Sequence, residues 1–218
     1  MGPTDLQVDL RARVLRGLPV AVVGGLATGG FAAWAYYADT LRPVAHSFGL
    51  WITLVALLSL RRTLAEAVAR STTGLAAAVV AFYVGKDWMY ALEYPGAPYS
   101  VNTEVLQEWL VLAVVAGCLF GWAFHRIGAD RRAGAVSTAA LMGLLVADTA
   151  RRSYNYRSDL PVVGTVAVVG IVLVLAVTVR SPRQLGAVAL WAVPMTVLGL
   201  LLVSLPDALE QLTITGGL

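Results

Sequence analysis

The sequence predicts an all-α polytopic membrane bundle of about seven transmembrane helices with a cytoplasmic N-terminus. Three observations carry this expectation. Apolar residues make up 58% of the chain and charged ones only 13%, with a mean hydropathy of +0.74, far from soluble averages. The apolar residues fall in continuous runs rather than the alternation a membrane barrel needs, and most reach the roughly 17–25 residues that carry a helix across about 30 Å of hydrocarbon. Finally, the basic residues are divided unevenly between the loops. Residues 1–218 read as a single transmembrane domain.

Taken in order, the first span covers 17–38. The preceding "MGPTDLQVDLRARVLRG" has neither an uninterrupted apolar segment nor a small-residue cleavage signal, so this span reads as retained rather than as a signal peptide. Its "GGLATGG" sets Gly25 and Gly29 at GxxxG spacing, a pattern for close helix packing. The second span, 44–60, follows Pro43 and is short. The third, 71–92, carries Lys86 and Asp87 near its end, and the fourth, 105–125, repeats the small-residue spacing at Gly117 and Gly121. The fifth covers 134–151 and contains Asp148; the sixth covers 161–179. The last, 184–205, includes Pro194, where a kink or weakened hydrogen bonding is expected.

Fifteen of the sixteen basic residues are arginine, which with the abundance of Ala, Val, Gly and Leu suggests a GC-rich bacterial genome and hence a bacterial plasma membrane. Eleven fall on one side of the bundle: Arg11, Arg13, Arg16, Arg61, Arg62, Arg70, Arg126, Arg131, Arg132, Arg180 and Arg183. Five fall on the other: Arg42, Lys86, Arg151, Arg152 and Arg157. The positive-inside rule therefore places the N-terminus in the cytoplasm and the C-terminus outside. The pI of 9.2 reflects this topology and gives no nucleic-acid signal. Cys118 is the only cysteine; it forms no intrachain disulfide and reads as a small hydrophobe.

Three of the five external charges lie in "ADTARRSYNYRSD", residues 147–159, so this one loop breaks the bias that the others obey. The third loop, on the same side, is acidic and aromatic: Asp87, Glu93, Glu104 and Glu108 stand among Trp88, Tyr90, Tyr94, Tyr99 and Trp109. Opposite charge across one mouth of the bundle would hold the arginines. Arg151 and Arg152 also follow Asp148 at the i+3 and i+4 spacings of one helix face. A carboxylate below the headgroups should face the bundle or a wet cavity, either as a snorkelling structural pair or as a functional group. Glu104 and Glu108 form a like-charge pair at a helix start. Facing inward, one could retain its proton and act as an acid; facing water, the pair only decorates the helix start. Asp87 lies near the interface beside Trp88, and Tyr90, Tyr94 and Tyr99 read as an aromatic belt. "YPGAP" is turn chemistry. His46 and His125 have no partner at a metal-ligand spacing, and GxSxG, HExxH and GxxxxGK[ST] are all absent from the sequence.

The succession "AAAVVAFYVGKDW", "EWLVLAVVAGCLFGWAFHR" and "ALMGLLVADTARR" resembles a family of small actinobacterial integral membrane proteins of uncharacterised function. In size, span number and membrane-embedded acids the chain is more loosely similar to the membrane-bound terpene cyclases of the drimentine type. That second resemblance implies cyclisation of a lipophilic isoprenoid started by protonating an alkene or epoxide. Such chemistry needs a protonated carboxylic acid, an apolar cavity and aromatic faces for cations, and it needs neither metal nor cofactor. No DDxxD run is present. The candidate acids are Glu108 and Asp148, then Asp87 and Glu93, with Trp88, Tyr90, Trp109, Arg151, Arg152 and Tyr154 as candidate substrate-binding residues. The expected partners are a lipophilic small molecule and membrane lipids. The alternative is a small-solute or lipid transporter, or a non-catalytic membrane module, in which the same charges form a gate or a latch.

Overall fold

A computed structural model describes residues 3–97, 100–129 and 132–214, with side chains described between Ala12 and Leu205. Pro98, Tyr99 and Arg131 lie outside the described residues, as does the side chain of Arg11. Among the described residues the chain forms eight α-helices: α1 (Pro3–Tyr37), α2 (Arg42–Ala45), α3 (Gly49–Ser59), α4 (Leu64–Glu93), α5 (Thr103–Phe124), α6 (Arg132–Asn155), α7 (Leu160–Thr178) and α8 (Pro182–Ile214). A 3-10 turn at Arg157–Asp159 joins α6 to α7. Six of the helices are long and apolar enough to cross a membrane, and the chain is a polytopic helical membrane bundle.

The helix ends show what apolar runs alone leave unmarked. The apolar run of the third span begins near residue 71, but α4 begins at Leu64 because Thr63 and Glu66 close a capping box: the Thr63 hydroxyl accepts from the Glu66 N–H, and the Glu66 carboxylate accepts from the Thr63 N–H. Arg70 is thereby moved from the loop into the helix, where it is buried 3.8 Å from Glu66. Asn102 caps α5 by accepting from the Glu104 and Val105 N–H groups. Past residue 151, α6 continues to Asn155 and carries both arginines and Tyr154 on the helix. Pro194 lies within α8, which continues through it.

Small residues set the packing. A Cβ at Gly25 or Gly29 of α1 would meet the Gly74 or Ala78 carbonyl oxygen of α4, and one at Gly85 would lie 2.7 Å from the Ala33 Cβ. Position numbers rise together along both helices, so α1 and α4 are parallel. By the same argument Gly143 of α6 packs on Met195 and Thr196 of α8, and Gly199 packs on Ala147, making α6 and α8 parallel. Gly117 faces Thr72 and Gly121 faces Val68, so α5 runs antiparallel to α4.

Parallel α1 and α4 require the chain between them to return through the bundle. That return is made by the four residues of α2, a turn and α3. At eleven residues, α3 is only about 16 Å long, and the expected second span is this composite. It is surrounded: α1, α4, α5, α6 and α7 all contact α3, and Ile52, Leu54, Val55, Ala56 and Leu58 are buried in the main core. The end of the bundle where α3 begins is termed the upper end. On the basic-residue bias this end is expected outside, so a reporter fused at the C-terminus should be active only when it functions outside the cytoplasm. A cytoplasm-active fusion would reverse this orientation.

A candidate site at the upper end of the bundle

A short helix that starts inside a membrane bundle leaves its first N–H groups without intrahelical acceptors, and a buried unsatisfied amide is costly. The sequence supplies no capping side chain at the start of α3, since its N-cap residue is Phe48. The acceptor comes from α6 instead. The Asp148 Oδ2 accepts from the Phe48 N–H at 2.8 Å, and Asp148 is only 2% exposed. Its Oδ1 lies 3.5 Å from Arg151 Nη2, the i+3 pairing expected from sequence. The Arg151 guanidinium in turn lies over the Phe48 ring, 4.9 Å from its centroid, and the same ring packs on Trp109 with ring centroids 6.4 Å apart. Asp148, Arg151, Phe48 and Trp109 thus form one connected unit that couples α6, α5 and the start of α3.

Arg152 is held separately. Its Nε donates to Asp159 Oδ2 at 2.7 Å, and its guanidinium lies 4.1 Å from the Tyr156 ring centroid. Arg151 and Arg152 are therefore matched by Asp148 and Asp159 from their own segment, while Arg157 is exposed. The expected match with the acids of the third loop is not what the structure shows: Glu93, Glu104 and Glu108 are exposed, and none of them pairs with Arg151 or Arg152 in the ion pairs above. Local carboxylates win because helix spacing and the 3-10 turn bring them within reach without ordering a long loop.

An open groove of about 430 Å³ lies between the upper ends of α6 and α8, lined by Ala150, Arg151, Tyr154, Asn155, Leu200 and Ser204. Two of the candidate binding residues, Arg151 and Tyr154, line it, and Tyr154 is 89% exposed. The remaining candidates lie elsewhere at this end. Asp87 is half-buried, Trp88 is 70% exposed, and the Tyr90 ring packs on Tyr94 at 5.0 Å. Asp148 stands one turn below Arg151 on α6, turned to the start of α3 and not among the residues that line the groove.

A second cluster occupies the junction of α1, α2 and α4. The Lys86 ammonium lies 4.2 Å from the Tyr36 ring centroid, with the Phe82 and Tyr83 rings at 5.5 and 6.0 Å. The His46 ring packs on Tyr36 at 5.3 Å. Sequence reasoning missed Phe48 and Asp159. Asp159 could have been found from its position just after Arg152 and Arg157, whereas the role of Phe48 is carried by its backbone and leaves no side-chain signal.

A family model described as a family of unknown function, DUF6518, matches residues 8–209. No curated protein and no solved structure matches the chain.

Proposed function

The chain belongs to the DUF6518 family, whose function is unknown, and from that premise we propose that it is a membrane-embedded carrier of an amphiphile with an anionic head. The amphiphile enters laterally between α6 and α8. The observation that supports this reading is the groove, which joins one guanidinium, from Arg151, to an apolar and small-residue wall of Ala150, Leu200 and Ser204. An anionic head is matched to Arg151 and Tyr154, and the tail lies along α8. The volume is within the range of small-molecule sites, and the open side gives access from the bilayer.

The test is binding of a fluorescent long-chain carboxylic acid to the purified protein in nanodiscs. Leu200→Trp fills the groove without altering the charges and should weaken binding about tenfold, or roughly 1.4 kcal/mol. Equal affinity for wild type and Leu200→Trp would remove the groove as the site.

A second reading has one observation in its favour: the Asp148 carboxyl group is buried within the bundle, 2% exposed, one helix turn from Arg151 of the groove. On that reading the protein is a metal-independent cyclase of an isoprenoid, with Asp148 donating the proton that starts the reaction. Incubation of membranes with a farnesylated substrate distinguishes the two. Cyclised product from wild type that is lost in a folded Asp148→Asn variant favours the enzyme, and transport or binding without product favours the carrier.

A further inference from the structure

The external basic residues are explained by local carboxylates at Arg151 and Arg152 but not at Lys86. Among the described residues no carboxylate lies within ion-pair distance of its ammonium, which rests on aromatic faces instead. Aromatic rings attract the cation through their quadrupoles but do not neutralise it. The cage is firmly built: Tyr37 donates to the Lys86 carbonyl oxygen at 3.2 Å, and Trp51 packs edge-on against Phe82 at 6.1 Å. Arg42 stands at the same place, with its Nε donating to the Tyr36 carbonyl oxygen at 3.2 Å and its Nη2 3.1 Å from Asp39. That Asp39 pair is exposed on both sides, a kind of contact that adds little, so Arg42 can turn to another anion at small cost. The His46 ring lies against the same Tyr36 ring, with centroids 5.3 Å apart. Lys86 and His46 therefore lie against the Tyr36 ring and Arg42 holds the carbonyl oxygen of the same residue, at the level where α1 ends and α4 approaches its end, which is where headgroups meet a membrane protein.

We propose that Lys86, Arg42 and His46 form a binding site for a phosphate-class anion at the upper membrane surface, with the Tyr36 ring as its floor. The site shares no residue with the α6–α8 groove and stands independently of the carrier reading. Lys86 contributes a compact point charge, Arg42 a forked donor suited to phosphate oxygens, and His46 a ring N–H. The phosphodiester of a lipid with net negative charge, or free phosphate, has the required chemistry.

The full chain is placed in nanodiscs of phosphatidylcholine alone, of phosphatidylcholine with phosphatidylglycerol, and of phosphatidylcholine with inorganic phosphate in solution. The thermal midpoint and, by native mass spectrometry, the retained anion are read for wild type, Lys86→Gln, Arg42→Gln, Lys86→Arg and Arg157→Gln. Wild type should gain stability and retain the anion in at least one of the two anionic arms. Retention should fall about fivefold for Lys86→Gln and for Arg42→Gln, the effect of one basic residue at a lipid surface. Lys86→Arg should keep most of it, and Arg157→Gln, an exposed cation outside the cluster, should keep all of it. An effect confined to phosphatidylglycerol assigns the site to a lipid headgroup, and an effect of inorganic phosphate assigns it to a soluble anion. Equal retention by wild type, Lys86→Gln and Arg42→Gln overturns the proposal, and so does an equal loss in Arg157→Gln, which would mark a general charge effect.

Discussion

Asp148→Ala is expected to destabilise the folded bundle by about 3–5 kcal/mol, the cost of breaking a buried ion pair from one side. Two groups lose a partner at once. The Phe48 N–H, at the start of a helix inside the protein, loses its acceptor, and Arg151 loses the carboxylate 3.5 Å away. Asp148→Asn should lose less, because the amide oxygen still accepts from Phe48 while only the charge is gone. Arg151→Met combined with Asp148→Asn should recover part of the loss, since it also removes the cation that faced the Asp148 carboxylate. Resistance to denaturation in mild detergent orders the variants: wild type above Asp148→Asn, and Asp148→Ala lowest. An Asp148→Ala protein as stable as wild type would mean that neither contact holds the start of α3 in place.

Gly29→Val should prevent α1 and α4 from packing. A Cβ at Gly29 would run into the Ala78 carbonyl oxygen and lie 2.9 Å from the Ala78 Cα, and these are backbone atoms that no rotamer change can move aside. Overpacking of this kind commonly costs about 1–3 kcal/mol, and two branched methyl groups add to a single Cβ. The adjacent position provides the control, because nothing lies within 4 Å of a Cβ at Gly30. Gly30→Val should therefore leave the yield of folded, monodisperse protein unchanged while Gly29→Val removes most of it. Equal yields would show that the close α1–α4 crossing is not required for folding.

These two sites also show what was legible in the sequence. The GxxxG spacing of Gly25 and Gly29 marked a packing face directly, because a missing Cβ has one main use in a membrane helix. The Asp148–Arg151 pair was legible for a similar reason: helical spacing alone brings the two side chains together. The Asp148–Phe48 contact was not, since it joins residues 100 positions apart and uses a backbone group that every residue has. The short α3 was legible only as a weak second span, because a helix enclosed by five others need not meet the thickness of the bilayer by itself. The ranking of Glu108 beside Asp148 rested on sequence depth, which does not distinguish the two faces of α5. Glu108 lies on the exposed face, whereas Asp148 faces the core.

The cap on α3 also has a consequence for how the protein is made. Residues 42–59 leave the ribosome well before Asp148 is synthesised, and at about 5–20 residues per second the interval is roughly 5–20 s. During that time the nascent chain holds α1 and α4, whose parallel packing can already form, but the amide of Phe48 has no acceptor and the return segment has no fixed seat. The first half of the protein is therefore inserted before it is locked, and the second half completes it. A nascent chain arrested before α6 should leave residues 42–59 open to a membrane-permeant thiol reagent at an introduced cysteine, and one arrested after α6 should close that window.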